Sequence, residues 1–95
     1  MRVEITKTYL EWQSNLKDLV VRARIQARVE RLRLGNPGHH RVLSDGVIEL
    51  KLDFGAGYRV YYTQRGKTLI ILLAGGDKSS QQADIKTAIQ LANNL

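Results

Sequence analysis

Hydrophobic and polar positions alternate along Arg2–Thr6, where Val3 and Ile5 oppose Arg2, Glu4 and Thr6. A period of two predicts a short strand with one buried face. From Thr8 the period lengthens: Tyr9, Trp12 and Leu16 fall on one face of a first helix of about three turns. Thr8 with Glu11 fits a capping box at its start. A second helix is expected from Asp18 to Leu34. Val21, Ile25, Val29 and Leu32 form one apolar stripe, and Val20, Ala23, Ala27 and Leu34 a second. Two stripes predict packing on a sheet and on a neighbouring helix together. Gly35 ends the helix, and the Gly35–Gly38 loop keeps it from resuming.

Beyond His40 the period returns to two. Ser44–Asp45–Gly46 supplies turn chemistry between Arg41–Leu43 and Val47–Asp53. Ile48, Leu50 and Leu52 face one way; Glu49, Lys51 and Asp53 face the other. Gly55–Gly57 turns the chain into Tyr58–Gln64, where Tyr58, Val60 and Tyr62 oppose Arg59, Tyr61 and Thr63. Leu69–Ala74 is apolar on both faces, as a central strand covered on both sides should be. After Gly75–Gly76, Ser79 with Gln82 fits a capping box for a last helix whose buried face holds Ile85, Ala88, Ile89 and Ala92. The order β-α-α-β-β-β-β-α predicts an α+β fold: an N-terminal strand and helical hairpin packed on an antiparallel sheet, with a C-terminal helix. The 95 residues form one domain.

Composition narrows the function. The absence of cysteine excludes a disulfide framework and any thiolate metal site. No cofactor or metal is expected, and the expected compartment is the cytoplasm. Fifteen Lys and Arg against nine Asp and Glu leave a net charge of +6, an excess that favours polyanionic partners. Six of these cations lie between Lys17 and Arg33, with Arg24, Arg28 and Arg31 clustered between the two apolar stripes.

Lys51 and Arg59 flank the Gly55–Gly57 turn, so the pairing of their strands sets them opposite each other. Like charges so placed need an anion between them or a neutralising carboxylate from Glu49, Asp53 or Asp77. The segment Gly75–Ser80 adds two glycines, Lys78 and two hydroxyls at the start of a helix, a combination suited to an oxyanion. The spacing of a P-loop is absent. His39 and His40 read as a solvated loop pair. Tyr61 shares a face with Arg59 and is the tyrosine best placed to stack on a base.

The stretch from Asp53 to Ile85, with its GYRVYY and GGDKSSQ blocks, resembles the addiction-module killer proteins of bacterial type II toxin–antitoxin systems. These form the phage-derived Gp49-like, HigB-related branch of the RelE/ParE superfamily. The resemblance implies a RelE-like toxin that cleaves mRNA on the ribosome and is held by a cognate helix-turn-helix antitoxin. It implies Arg59 as the arginine that grips the scissile phosphate, with Lys51 on the preceding strand and Lys78 as a second phosphate-binding cation. Glu49 falls where those toxins carry another lysine, and Glu49 or Lys51 is the candidate proton acceptor. Tyr61, Asp77 and Ser79 are candidate substrate contacts. The C-terminal Tyr or His of ribosome-dependent members has no counterpart here, leaving Asp77 and Asp84 as replacements. Inhibition of DNA gyrase without catalysis, as on the ParE side of the superfamily, is the alternative.

Overall fold

A computed structural model describes residues 1–95. Five strands form one sheet in the order β1-β5-β4-β3-β2. They are β1 (Arg2–Ile5), β2 (His40–Val42), β3 (Val47–Leu52), β4 (Tyr58–Arg65) and β5 (Leu69–Gly76). Helices α1 (Lys7–Ser14) and α2 (Leu19–Arg33) follow β1, and α3 (Gln81–Asn93) ends the chain. The α+β class and the order of elements agree with the sequence pattern. The expected antiparallel meander is present as β2–β5, but β1 joins the same sheet parallel to β5 and makes it mixed. The two helices carry the chain from β1 to β2 at the opposite edge, and three antiparallel steps back across the sheet bring β5 beside β1 in the same direction. No helix is long and apolar enough to cross a membrane.

The central strands bury both faces. Leu50, Leu52, Val60, Tyr62, Ile70 and Leu72 pack against Tyr9, Ile25 and Leu32 of α1 and α2. Val47, Tyr61, Ile71, Leu73 and Ala74 pack against Ala88 and Ala92 of α3. The face bearing Glu49, Arg59 and Tyr61 is therefore roofed by α3 and is not an open polar surface. Only one α2 stripe is used. Ile25 and Leu32 are buried, whereas Val20 and Leu34 remain 67% and 70% exposed, so the second stripe meets no helix of this chain.

Two helix starts differ from the pattern. Thr6, not Thr8, caps α1: its Oγ1 accepts from Tyr9 N at 3.1 Å and donates to Leu73 O at 2.6 Å. The helix ends by Ser14, about two turns long, and leaves Leu16 beyond it. At the other end, Ser79 does not cap α3. Asp77 caps an intervening 3₁₀ turn, Lys78–Ser80, before α3 begins at Gln81. Asp18 caps α2, its Oδ1 accepting from Val20 N at 2.9 Å.

A bulge shifts the β4–β5 register between Tyr61, opposite Ala74, and Tyr62, opposite Leu72. The extra residue, Leu73, reverses the facing of the residues after it. Gly75 then lies under the Trp12 ring, and Gly76 under Asp84 and Ser80. A Cβ at Gly75 would stand inside the contact surface of that ring. Gly75→Ala should cost about 1–3 kcal/mol of stability through overpacking. In urea unfolding this appears as a lower midpoint with an unchanged slope.

Candidate functional site

β3 and β4 pair Lys51 with Arg59, Glu49 with Tyr61 and Val47 with Thr63, so the expected opposition of the two cations is present. Arg59 is buried, with 9% exposure. Its Nη1 donates to the carbonyls of Gly57 at 3.0 Å and Tyr58 at 3.3 Å, while Nε is buried without a partner. Gly57 has a left-handed φ of 74°, which favours glycine, and its open side faces Lys78. Lys78 N donates to Ala56 O at 3.2 Å, which docks the 3₁₀ turn against the Gly55–Gly57 loop. Arg59 and Lys78 thereby line one cleft of ≈ 490 Å³ with Asp53, Phe54 and the loop.

No carboxylate pairs with Lys51, Arg59 or Lys78 among the ion pairs of the molecule. Two cations at one cleft, one with an unmet donor nitrogen, make a seat for an anion. A guanidinium whose Nη2 makes no hydrogen bond within the chain suits the oxygens of a phosphate. Asp53 is the carboxylate of the cleft. It is bound 2.7 Å from His39 Nδ1, and that hydrogen bond holds its carboxyl below the usual range, helped by the charges of His39, Arg59 and Lys51. His39 is thus engaged with the site's carboxylate, whereas His40 Nδ1 lies 2.7 Å from Gly38 O.

The remaining candidates are placed differently. Glu49 is fully buried: Gln81 Nε2 donates to its Oε2 at 3.0 Å, and Arg41 lies 3.3 Å from Oε1 in charge contact. Tyr61 is fully buried against α3, which removes it as a surface for stacking a base. Burial, with Glu49 beside it, pushes its phenol well above the ordinary range. Asp77 Oδ1 accepts from Ser79 N at 2.8 Å and from Ser79 Oγ at 2.5 Å. That bonding holds the Asp77 carboxyl low and commits both residues to shaping the turn that carries Lys78. Asp84 accepts from Ser80 Oγ at 2.5 Å.

A second hollow, of ≈ 220 Å³, adjoins the cleft through Asp53 and Phe54 and is lined by Arg24, Ala27, Arg28, Arg31 and Leu52. Arg24 lies over the Phe54 ring at 4.6 Å. Arg28 is not a solvated helix cation. It donates to the carbonyls of Lys51, Pro37 and His39 at 2.8, 2.9 and 3.0 Å, tying α2 to the end of β3 and to the 37–39 loop. Sequence reasoning missed Phe54 and this hollow. The available signal was an aromatic residue at a glycine turn between two cations.

Comparison with known proteins identifies relatives of the whole chain. The chain is 46% identical over 95 residues to an uncharacterized protein of Haemophilus influenzae, covering 100% of this chain and 96% of that one. The profile of the phage-derived Gp49-like family matches residues 11–95, a span that includes every residue of the cleft. The chain belongs to the phage-derived Gp49-like protein family.

Proposed function

We propose that the protein is the toxin of a type II toxin–antitoxin module and inhibits translation by cleaving mRNA on the ribosome. The Gp49-like family, often a family of such toxins, supports the first part. The second rests on one observation: Arg59 and Lys78 converge on one cleft, and neither is ion-paired with a carboxylate. RNA brings its own nucleophile. Removing the proton from a ribose 2′-OH lets that oxygen attack the adjacent phosphorus, and the 5′-oxygen leaves with a proton from an acid. Arg59 and Lys78 stabilise the charge of the phosphorane between these steps. Neither a covalent enzyme residue nor a metal is demanded by this chemistry.

Lys51, opposite Arg59 and half-buried, is the proton acceptor in this scheme. Glu49 is fully enclosed, and Asp53 is a weakened base because of its bond to His39. A helix-turn-helix antitoxin with acidic and apolar residues is the expected partner, given the +6 charge and the exposed Val20 and Leu34. Binding to gyrase is the competing mode of action, favoured by the lack of a C-terminal Tyr or His. Sequencing of RNA ends after induced expression separates the two. Fresh cuts inside translated frames support cleavage; DNA damage without them overturns it.

Arg59→Ala should lower cleavage on programmed ribosomes by about 10²–10³-fold, the effect of removing one electrostatic donor from a transition state. Circular dichroism checks that the variant remains folded, and full cleavage by folded protein would exclude this cleft.

The lysines should separate by role. Lys78 contributes charge, so Lys78→Arg should keep much of the activity and Lys78→Gln lose most of it. Guanidinium stays protonated at any working pH, so Lys51→Arg should be as inactive as Lys51→Ala if Lys51 accepts the proton. The same ribosome assay reads all four variants, and an active Lys51→Arg would remove Lys51 from that role.

A further inference from the structure

The hollow beside the cleft has a composition of its own. Arg24 and Arg31 lie on one side of α2, about 10 Å apart along its axis. Neither side chain has a hydrogen bond or ion pair within the chain, whereas Arg28 between them is spent on three carbonyls. Phe54 is half-buried, its ring centroid 5.5 Å from that of Tyr58, and it holds the Arg24 guanidinium at 4.6 Å. Asp53 borders both the hollow and the cleft.

We propose that this hollow is a base-reading subsite for one unpaired guanosine next to the phosphate held by Arg59 and Lys78. Guanine presents two neighbouring N–H donors, N1 and N2, on its Watson–Crick edge, and a carboxylate offers two acceptor oxygens side by side. Asp53 makes one hydrogen bond within the chain, to His39, which leaves acceptor capacity on its carboxylate. The O6 and N7 acceptors on the base's other edge suit Arg24 or Arg31. Guanidinium planes and aromatic rings are the surfaces on which unstacked RNA bases settle. Uracil has a single N–H between two carbonyls, so two acceptor oxygens in front of the carboxylate disfavour it. An acidic peptide fits less well, because Asp53 stands in the middle of the cations and repels its carboxylates. Asp53 remains ionised at neutral pH, since its hydrogen bond from His39 holds its carboxyl low.

The proposal rests on reading the cleft as an RNA phosphate site, and the test distinguishes the two. Fluorescence anisotropy would measure binding of the intact protein to labelled hexauridylate. Parallel titrations would use hexamers with one uridine replaced by guanosine, adenosine or cytidine. The guanosine hexamer should bind about tenfold more tightly than hexauridylate, within the range of one good base contact. Asp53→Asn should erase that advantage and raise adenosine, because an amide presents one acceptor and one donor to adenine. Asp53→Ser should erase it without favouring adenosine, and Arg24→Gln should weaken guanosine most. A flat base profile in the wild type overturns the subsite, as does a guanosine preference that survives both Asp53 variants. Arg59→Gln reports on the cleft separately. If it leaves every affinity unchanged while the guanosine preference persists, the phosphate reading fails and the base subsite stands. Binding of a glutamate-rich peptide through Arg24 and Arg31, with no binding of the hexamers, assigns the hollow to a protein partner and overturns the proposal.

Discussion

Burying a guanidinium without a counter-ion is costly unless its donors are satisfied, and the architecture around Arg59 is arranged by that constraint. Two carbonyls of the hairpin loop meet part of the demand, which requires the loop to fold back on the strand that carries Arg59. Folding back requires the left-handed backbone at Gly57, and the missing side chain there admits Lys78. A second cation is thus drawn toward the first by loop geometry, against their mutual repulsion. An anion in the cleft relieves the repulsion, so the free protein holds its site ready for a negatively charged group.

The scaffold behind the cleft is fixed by hydrogen bonds from side chains to backbone. Arg28 grips three carbonyls and holds α2 against the end of β3, where Lys51 and Asp53 begin. Thr6 bridges α1 and β5, and the Met1 amine donates to Arg33 O at 3.0 Å, joining the start of β1 to the end of α2. Such contacts satisfy groups that helix ends and bulges leave open. On the α3 side the contacts run between side chains, where Gln81 donates to Glu49 and Arg41 lies in charge contact with it, a charged side chain wholly inside the protein.

Much of this was legible in the chain. Alternation at Val47–Asp53 and Tyr58–Gln64 placed Leu50, Leu52, Val60 and Tyr62 on one face with Glu49, Arg59 and Tyr61 on the other, and with it gave the opposition of Lys51 and Arg59. The two-sided apolar run at Leu69–Ala74 identified the covered central strand. Other features depended on contacts distant in sequence. Nothing local shows that α3 roofs the face of Glu49 and Tyr61, since polar residues there read equally well as solvated. The cap at Thr6 in place of Thr8 is set by the Leu73 carbonyl, 67 residues away. Asp77 takes the capping role expected of Ser79 because a 3₁₀ turn precedes α3, and such short turns carry little periodic signal. For the same reason the site residues divided: Arg59 and Lys78 share a cleft, while Glu49 and Tyr61 lie under a helix.

The bulge at Leu73 makes the length of β5 as restrictive as its chemistry. Before it, Ile71 and Leu73 point toward α3; after it, Ala74 does so as well. Many aliphatic side chains could fill those positions at modest loss, yet the glycines keep their faces only while the extra residue is taken up as a bulge. A strand of the same length without the bulge would alternate strictly and exchange the two glycines, turning Gly76 toward Trp12 and Gly75 toward the Asp84 carboxylate. The Thr6 hydroxyl would lose the carbonyl it binds, and Arg59 would face a different neighbour across the ladder. Divergence in this strand is therefore free to proceed by substitution as long as the bulge itself is kept.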